Sequence, residues 1–147
     1  MKFVYRLLTR IFPQRFLCWC LGPFLPKAVC LLLWRDGKVL AVSRKTDRTK
    51  FGLVGGKVDP GETLLQALLR ETDEEAGIRP LDPKPIYEGI CVGDVTFICT
   101  TFACDSFVGE LHTNEAIDVA WVPPRLTVEG PFDAYNRDLF KVSGILV

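Results

Sequence analysis

Apolar residues early in the chain fall into runs of strand length. Ala28–Trp34 is almost wholly apolar and Lys38–Ser43 repeats the pattern, with Asp36-Gly37 between them. An Asp-Gly step joining two apolar runs predicts a tight hairpin, because both central residues of the favoured turn need positive φ. Arg44–Lys50 follows as a polar, basic loop, and Phe51–Val58 is glycine-rich and runs into the turn Asp59-Pro60-Gly61. The period then changes. Leu65, Leu68, Leu69, Thr72 and Ala76 recur at helical spacing and predict the core stripe of an amphipathic helix. Thr63 with Gln66 three residues on forms a capping box at its start, and Gly77 with Pro80 beyond it marks its end. After a proline-rich linker at Leu81–Pro85, Ile86–Val92 and Val95–Cys104 read as strands, and Ile117–Val122 as another, stopped by Pro123-Pro124. A short last helix is expected within Pro131–Val142. Strands on both sides of one strong helix predict an α/β domain with a mixed sheet.

That helix carries more than a core stripe. Glu71, Glu74 and Glu75 stand at i, i+3 and i+4, so all three carboxylates occupy a wedge of about 100°, roughly a third of a turn from the apolar stripe. Clustered like charges destabilise an isolated helix. They become favourable around a hard divalent cation, which prefers oxygen ligands. On their own, three such glutamates are equally compatible with a solvated acidic face.

Composition narrows the setting. A chain of 147 residues, 48% hydrophobic and 24% charged, is one globular domain rather than a disordered segment. Net charge is zero but unevenly placed. The first 35 residues carry Lys2, Arg6, Arg10, Arg15, Lys27 and Arg35 and no acid, while the rest holds twelve bases and eighteen acids. An acidic body suits an enzyme that handles phosphates through cations. Six dispersed cysteines and one histidine, His112, do not form the usual zinc spacing and favour a reducing compartment.

The residues around the helix give the three glutamates a context. Gly56 to Ile78 reads GKVDPGETLLQALLRETDEEAGI. This segment resembles the Nudix box, G-x5-E-x7-R-E-U-x-E-E-x-G-U with U aliphatic. All seven fixed positions match: Gly56, Glu62, Arg70, Glu71, Glu74, Glu75 and Gly77. A chance match has odds on the order of 10⁻⁹ to 10⁻⁸ per starting point at average residue frequencies. One aliphatic position is Thr72, whose methyl can pack in the core and whose hydroxyl is expected to bond back to the Leu68 carbonyl.

The resemblance to the Nudix hydrolases, and within them to small MutT-type enzymes, implies an α/β/α sandwich with a mixed sheet over residues 27–147, preceded by an arm over residues 1–26. It implies metal-dependent cleavage of a diphosphate linkage in a nucleotide-like substrate, with Mg2+ or Mn2+ as cofactor. Glu71, Glu74 and Glu75 would be metal ligands, joined by Glu62 directly or through water, and Gly56 would let a backbone carbonyl approach the ion. Arg70 would organise the carboxylates, and Glu115 is a candidate extra ligand or general base. Asp94 stands where ADP-ribose enzymes place a proline, and Gly93–Phe97 lacks the tyrosine of dinucleoside polyphosphate enzymes. By elimination, a nucleoside triphosphate, oxidised or not, leads. ADP-ribose, nucleotide sugars, capped RNA and a non-catalytic nucleotide-binding module remain the alternatives. Substrate contacts are expected from Arg44 (beside Lys45, with Arg48 and Lys50 as rivals), Phe51, Asp133 and Asn136. Core packing is the other reading of Phe51, and helix capping that of Asp133.

The arm is basic, acid-free and apolar. A packed or membrane-surface amphipathic segment is the expectation, ahead of a cleaved targeting peptide. No stable nucleic-acid partner is expected, a homodimer through the apolar arm is open, and a cytoplasmic setting is the simplest.

Overall fold

The structure is a computed structural model. It describes residues 2–113, 115, 117–129 and 132–147, without the side chains of residues 2, 3, 6 and 9. Its central feature is a mixed sheet with a hydrophobic core on each face. β1 (Lys27–Leu32) lies at its heart, antiparallel to β4 (Phe51–Lys57) on one side and parallel to β7 (Thr96–Ala103) on the other. β3 (Lys38–Ser43) continues the sheet beyond β4, β6 (Lys84–Val92) closes the opposite edge, and β9 (Val119–Val122) pairs with β3. The predicted hairpin forms between β2 (Trp34–Arg35) and β3, with positive φ at both Asp36 and Gly37.

The apolar run Ala28–Trp34 is therefore two strands rather than one. β1 ends at Leu32, and the chain resumes in β2 with a new partner, because β4 pairs with β1 and β2 pairs with β3. The expected strand at Ile117–Val122 is shorter, beginning at Val119, and Val95–Cys104 contracts by one residue at each end. A two-stranded sheet of β5 (Ile78–Pro80) and β8 (Phe107–Gly109) had no signal strong enough to predict it.

Alternation along β1 explains the layers. Ala28, Cys30 and Leu32 face the core under α4 (Asp133–Val142), with Tyr135, Leu139 and Phe140. Val29 and Leu31 face the other core, under α3 (Leu64–Ala76), with Ala67, Leu68 and Ala76. Period-two alternation with both faces apolar is what a sheet between two helical layers requires.

α3 begins and ends where its caps predict. Thr63 accepts a hydrogen bond from the Gln66 N–H, the Gln66 side chain accepts from the Thr63 N–H, and Gly77 closes the helix at φ 66°. Its buried face differs from the expected stripe. Ala67 is buried, Leu69 only partly so, and Leu65 is 45% exposed. Periodicity gives direction around the helix axis but not how far the sheet extends beneath it, and first-turn Leu65 lies outside that footprint. Thr72 is fully buried, as expected, but its hydroxyl donates to the Leu69 carbonyl at 3.2 Å rather than to Leu68.

The arm folds as α1 (Lys2–Ile11) and α2 (Gln14–Leu21), followed by a 3₁₀ turn at Gly22–Phe24. Leu17 and Cys18 pack on Ile90 and Ile98, and the Gln14 side chain accepts from the Ile90 N–H at 2.9 Å.

Candidate functional site

Glycines bring α3 close to the sheet. Gly55 and Gly56, near the end of β4, pair with Cys30 and Val29 of β1 and lie against the glutamates of α3. A Cβ on Gly56 would stand 2.3 Å from the Glu71 carboxyl carbon, so that space is kept for a carboxylate. The Gly55 N–H donates to Glu75 Oε2 at 2.9 Å. Ala67, one helical turn before Glu71, is small and buried, which lets this flank of the helix settle onto β4.

Arg70 ties the remaining carboxylates together. Its Nε donates to Glu62 Oε1 at 2.8 Å and its Nη2 to Glu62 Oε2 at 3.0 Å, a two-pronged contact. Nη1 donates to Glu71 Oε1 at 2.8 Å and to Glu74 Oε2 at 3.2 Å, and Nη2 also reaches the Lys57 carbonyl. Glu62 accepts a further bond from the Asp59 N–H. The Arg70 hydrogen bonds hold the Glu62 carboxyl down at about 2. Glu75 goes the other way: burial raises it to about 7, against the Gly55 hydrogen bond that favours its charge. Burial also raises Glu71, opposed by Arg70.

Glu115 faces this cluster and pairs with Lys45 at 2.5 Å, and both add to the field at Glu71 and Glu75. As the side chains stand, no three His, Cys, Asp or Glu among the described residues converge tightly enough to chelate an ion. Arg70 holds Glu62, Glu71 and Glu74, and the Gly55 N–H holds Glu75. The donor set nonetheless fits a hard cation: oxygen ligands on one wedge, a partly desolvated carboxylate, and a backbone cradle that a Cβ would fill.

A cavity of about 240 Å³ opens beside the cluster. Gly55, Gly56 and Lys57 form one wall, so the strand that supports the glutamates also lines the cavity. Arg44 crosses it with its guanidinium 4.6 Å from the Phe132 ring centre, and Phe132 meets Phe97 edge-on at 5.7 Å. Arg44 Nε is buried with no hydrogen-bond partner, and burial lowers the Arg44 pKa. Cys30, Cys91, Cys99 and Tyr135 also contribute to the lining.

Of the residues expected to contact substrate, Arg44 and Asn136 line the cavity. Asn136 is buried and donates to the Thr127 carbonyl at 2.7 Å, tying α4 to the preceding turn. Phe51 and Asp133 lie outside the lining. Phe51 packs against the α4-side core. Asp133 is exposed at the first position of α4, where its carboxylate accepts from the Ala134 N–H, and the cap itself is Phe132. Phe97 and Phe132 were missed because they belong to segments far apart in sequence. The adjacency of Phe132 to Asp133 in PFDAYNRDLF was the only available hint.

Comparisons with known proteins agree with this geometry. The NUDIX domain family matches residues 24–141. The nucleoside triphosphatase NudI of Escherichia coli O17:K52:H18 is 31% identical over 135 residues, covering 80% of this chain and 96% of that protein. A MutT NUDIX hydrolase from Burkholderia pseudomallei shares the fold at a TM-score of 0.66 and 22% identity, covering 83% of this chain and 98% of that one. A MutT protein from Methanosarcina mazei Go1 superposes at 0.58 with 28% identity, over 79% of this chain and 90% of that one. With the family match spanning most of its length and the complete box mounted on α3, this chain belongs to the NUDIX family and is a Nudix hydrolase.

Proposed function

We propose that the enzyme hydrolyses a diphosphate linkage of a nucleoside triphosphate, with its phosphates at the α3 glutamates and its base in the adjoining cavity. One observation carries this reading: Gly55 and Gly56 touch Glu75 and Glu71 and also wall the cavity, so one substrate can span both. At about 240 Å³ the cavity is smaller than the roughly 300 Å³ or more of a pocket for a whole drug-sized ligand, which suits a single ring system. The NudI relative, a nucleoside triphosphatase by name, supports the same substrate class.

Nudix hydrolases use divalent metal ions, and Mg2+ or Mn2+ suits the all-oxygen donor set here. Glu71, Glu74, Glu75 and Glu62 would hold the ion, with the Gly56 backbone beside them. When bound, it neutralises phosphate oxygens and makes water a stronger nucleophile. Arg70 is a positioning residue that holds Glu62, Glu71 and Glu74 together beside the Gly56 backbone. Glu115, paired with Lys45 and within the field of Glu71 and Glu75, would accept a proton from the attacking water. Arg44, whose side chain lines the cavity, would meet the substrate there, and Phe132 and Phe97 would give the base aromatic contacts. We assign residues 27–147 to the catalytic domain and residues 1–26 to an accessory arm, in a cytoplasmic protein whose partner is a small nucleotide.

The test is a panel of nucleoside triphosphates, oxidised triphosphates, ADP-ribose, nucleotide sugars and capped RNA with Mg2+ or Mn2+, followed by phosphate and diphosphate release. Turnover of triphosphates that falls by about 100-fold or more in Glu74→Gln is expected, as for loss of a metal-site group. Preferential turnover of another class, or unchanged turnover in Glu74→Gln, overturns the assignment.

A further inference from the structure

The arm lies almost wholly before the family match, which begins at residue 24, and the chemistry above does not use it. α2 is fixed to the domain by Leu17, Cys18 and the Gln14–Ile90 hydrogen bond, and Leu8 of α1 packs beside them, but several described apolar side chains of both helices stay exposed. Val4, Leu7 and Ile11 follow helical spacing on one side of α1 and are 56, 48 and 61% exposed. Phe12 and Phe16 stack on each other at 5.5 Å and remain open to solvent. Trp19 is 80% exposed and Phe24 84%. A buried-core origin does not explain this patch, because the arm is already anchored through its other side.

Charge identifies the occupant. Every charged side chain of the arm is basic, and Arg10 and Arg15 are exposed next in sequence to Ile11 and Phe16 of the apolar patch. We propose that this face binds an anionic lipid bilayer, lying in the interface plane with the aromatic and aliphatic residues inserted and the arginines on the headgroups. Amphipathic helices with basic polar sides bind in this way, and Trp is favoured at that depth. Anionic headgroups supply the counter-charge that the arm lacks. A second copy of the chain fits less well, since a two-fold contact between arms would set one all-basic segment against another.

The experiment is co-sedimentation of the full-length protein with phosphatidylcholine vesicles and with phosphatidylcholine–phosphatidylglycerol vesicles, at low and high salt, together with tryptophan emission. Binding is expected on the anionic vesicles, weakened by salt, with a blue shift that Trp19→Phe removes. Trp19→Ser with Phe24→Ser should weaken it roughly tenfold or more, and Arg10→Glu with Arg15→Glu should abolish the preference for anionic lipid. These side chains are exposed, so Tm and hydrolytic turnover in solution should not change and serve as the folding control. A folded protein that ignores both vesicles overturns the proposal. So does a dimer in solution that the Trp19 and Phe24 substitutions dissociate while vesicle binding is absent, which would assign the patch to a second copy.

Discussion

Gly56 and Glu71 show how one missing side chain serves the site. A methyl on Gly56 would occupy the position of the Glu71 carboxyl group, and that group is the movable end of its side chain. Gly56→Ala should therefore displace Glu71 more than it disturbs the fold. Turnover is expected to fall by about tenfold or more, while stability changes by less than about 1–3 kcal/mol, the usual cost of overpacking. Activity assays paired with thermal melts check this, and a large loss of Tm with normal turnover would contradict it. At this scale the site was partly legible beforehand. The box residues could be read because they are close in sequence and share one helix. The Arg44–Phe132–Phe97 stack could not, because it joins β3's end, the start of α4 and β7, and no local pattern records contacts between such distant segments.

The helix α3 carries the site because its own sequence fixes where it starts. The reciprocal Thr63–Gln66 bonds set the first turn, and Glu62 immediately before it is thereby placed within reach of Arg70 two turns on. Thr63→Ala should cost about 1 kcal/mol, or roughly 2–4 °C in Tm for a chain of this size, and should loosen Glu62 as well. A melt unchanged within error would count against the cap. Caps and period were both readable in the sequence. The buried face was read less well: Leu65 fits the helical period yet hangs clear of the sheet, whereas Ala67 does not fit the stripe yet is buried, because the glutamate flank also leans on β4. The β1–β2 break escaped notice for a related reason. An unbroken apolar run records burial on both faces but not a change of hydrogen-bonding partner.

On the scale of the whole molecule, the site is a set of like charges held by one arginine, and a cation should reorganise that set. Saturating Mg2+ or Mn2+, at about 100 times its Kd, would stabilise the fold by about 2.7 kcal/mol, or roughly 5–10 °C in Tm. Arg70→Gln should lower the Tm of the chelator-treated protein more than that of the metal-loaded protein, since the ion takes over part of the arginine's role. Equal losses in both states would mean that Arg70 is only structural. The mixed sheet makes this arrangement possible by holding α3 and α4 on opposite faces, with β4 shared between the glutamates and the cavity.

The most direct measurement is a Mn2+ titration followed by electron paramagnetic resonance, run beside triphosphate turnover on the same samples, for the wild type and Glu75→Gln. In the metal-free protein Glu75 is a partly buried carboxylate raised to about 7, so the neutral amide should fold at least as well. The account predicts that wild-type turnover rises with bound Mn2+, and that Glu75→Gln keeps its Tm but loses both tight Mn2+ binding and most turnover. Wild-type turnover that persists in excess chelator, or a Glu75→Gln enzyme that retains both properties, would contradict it.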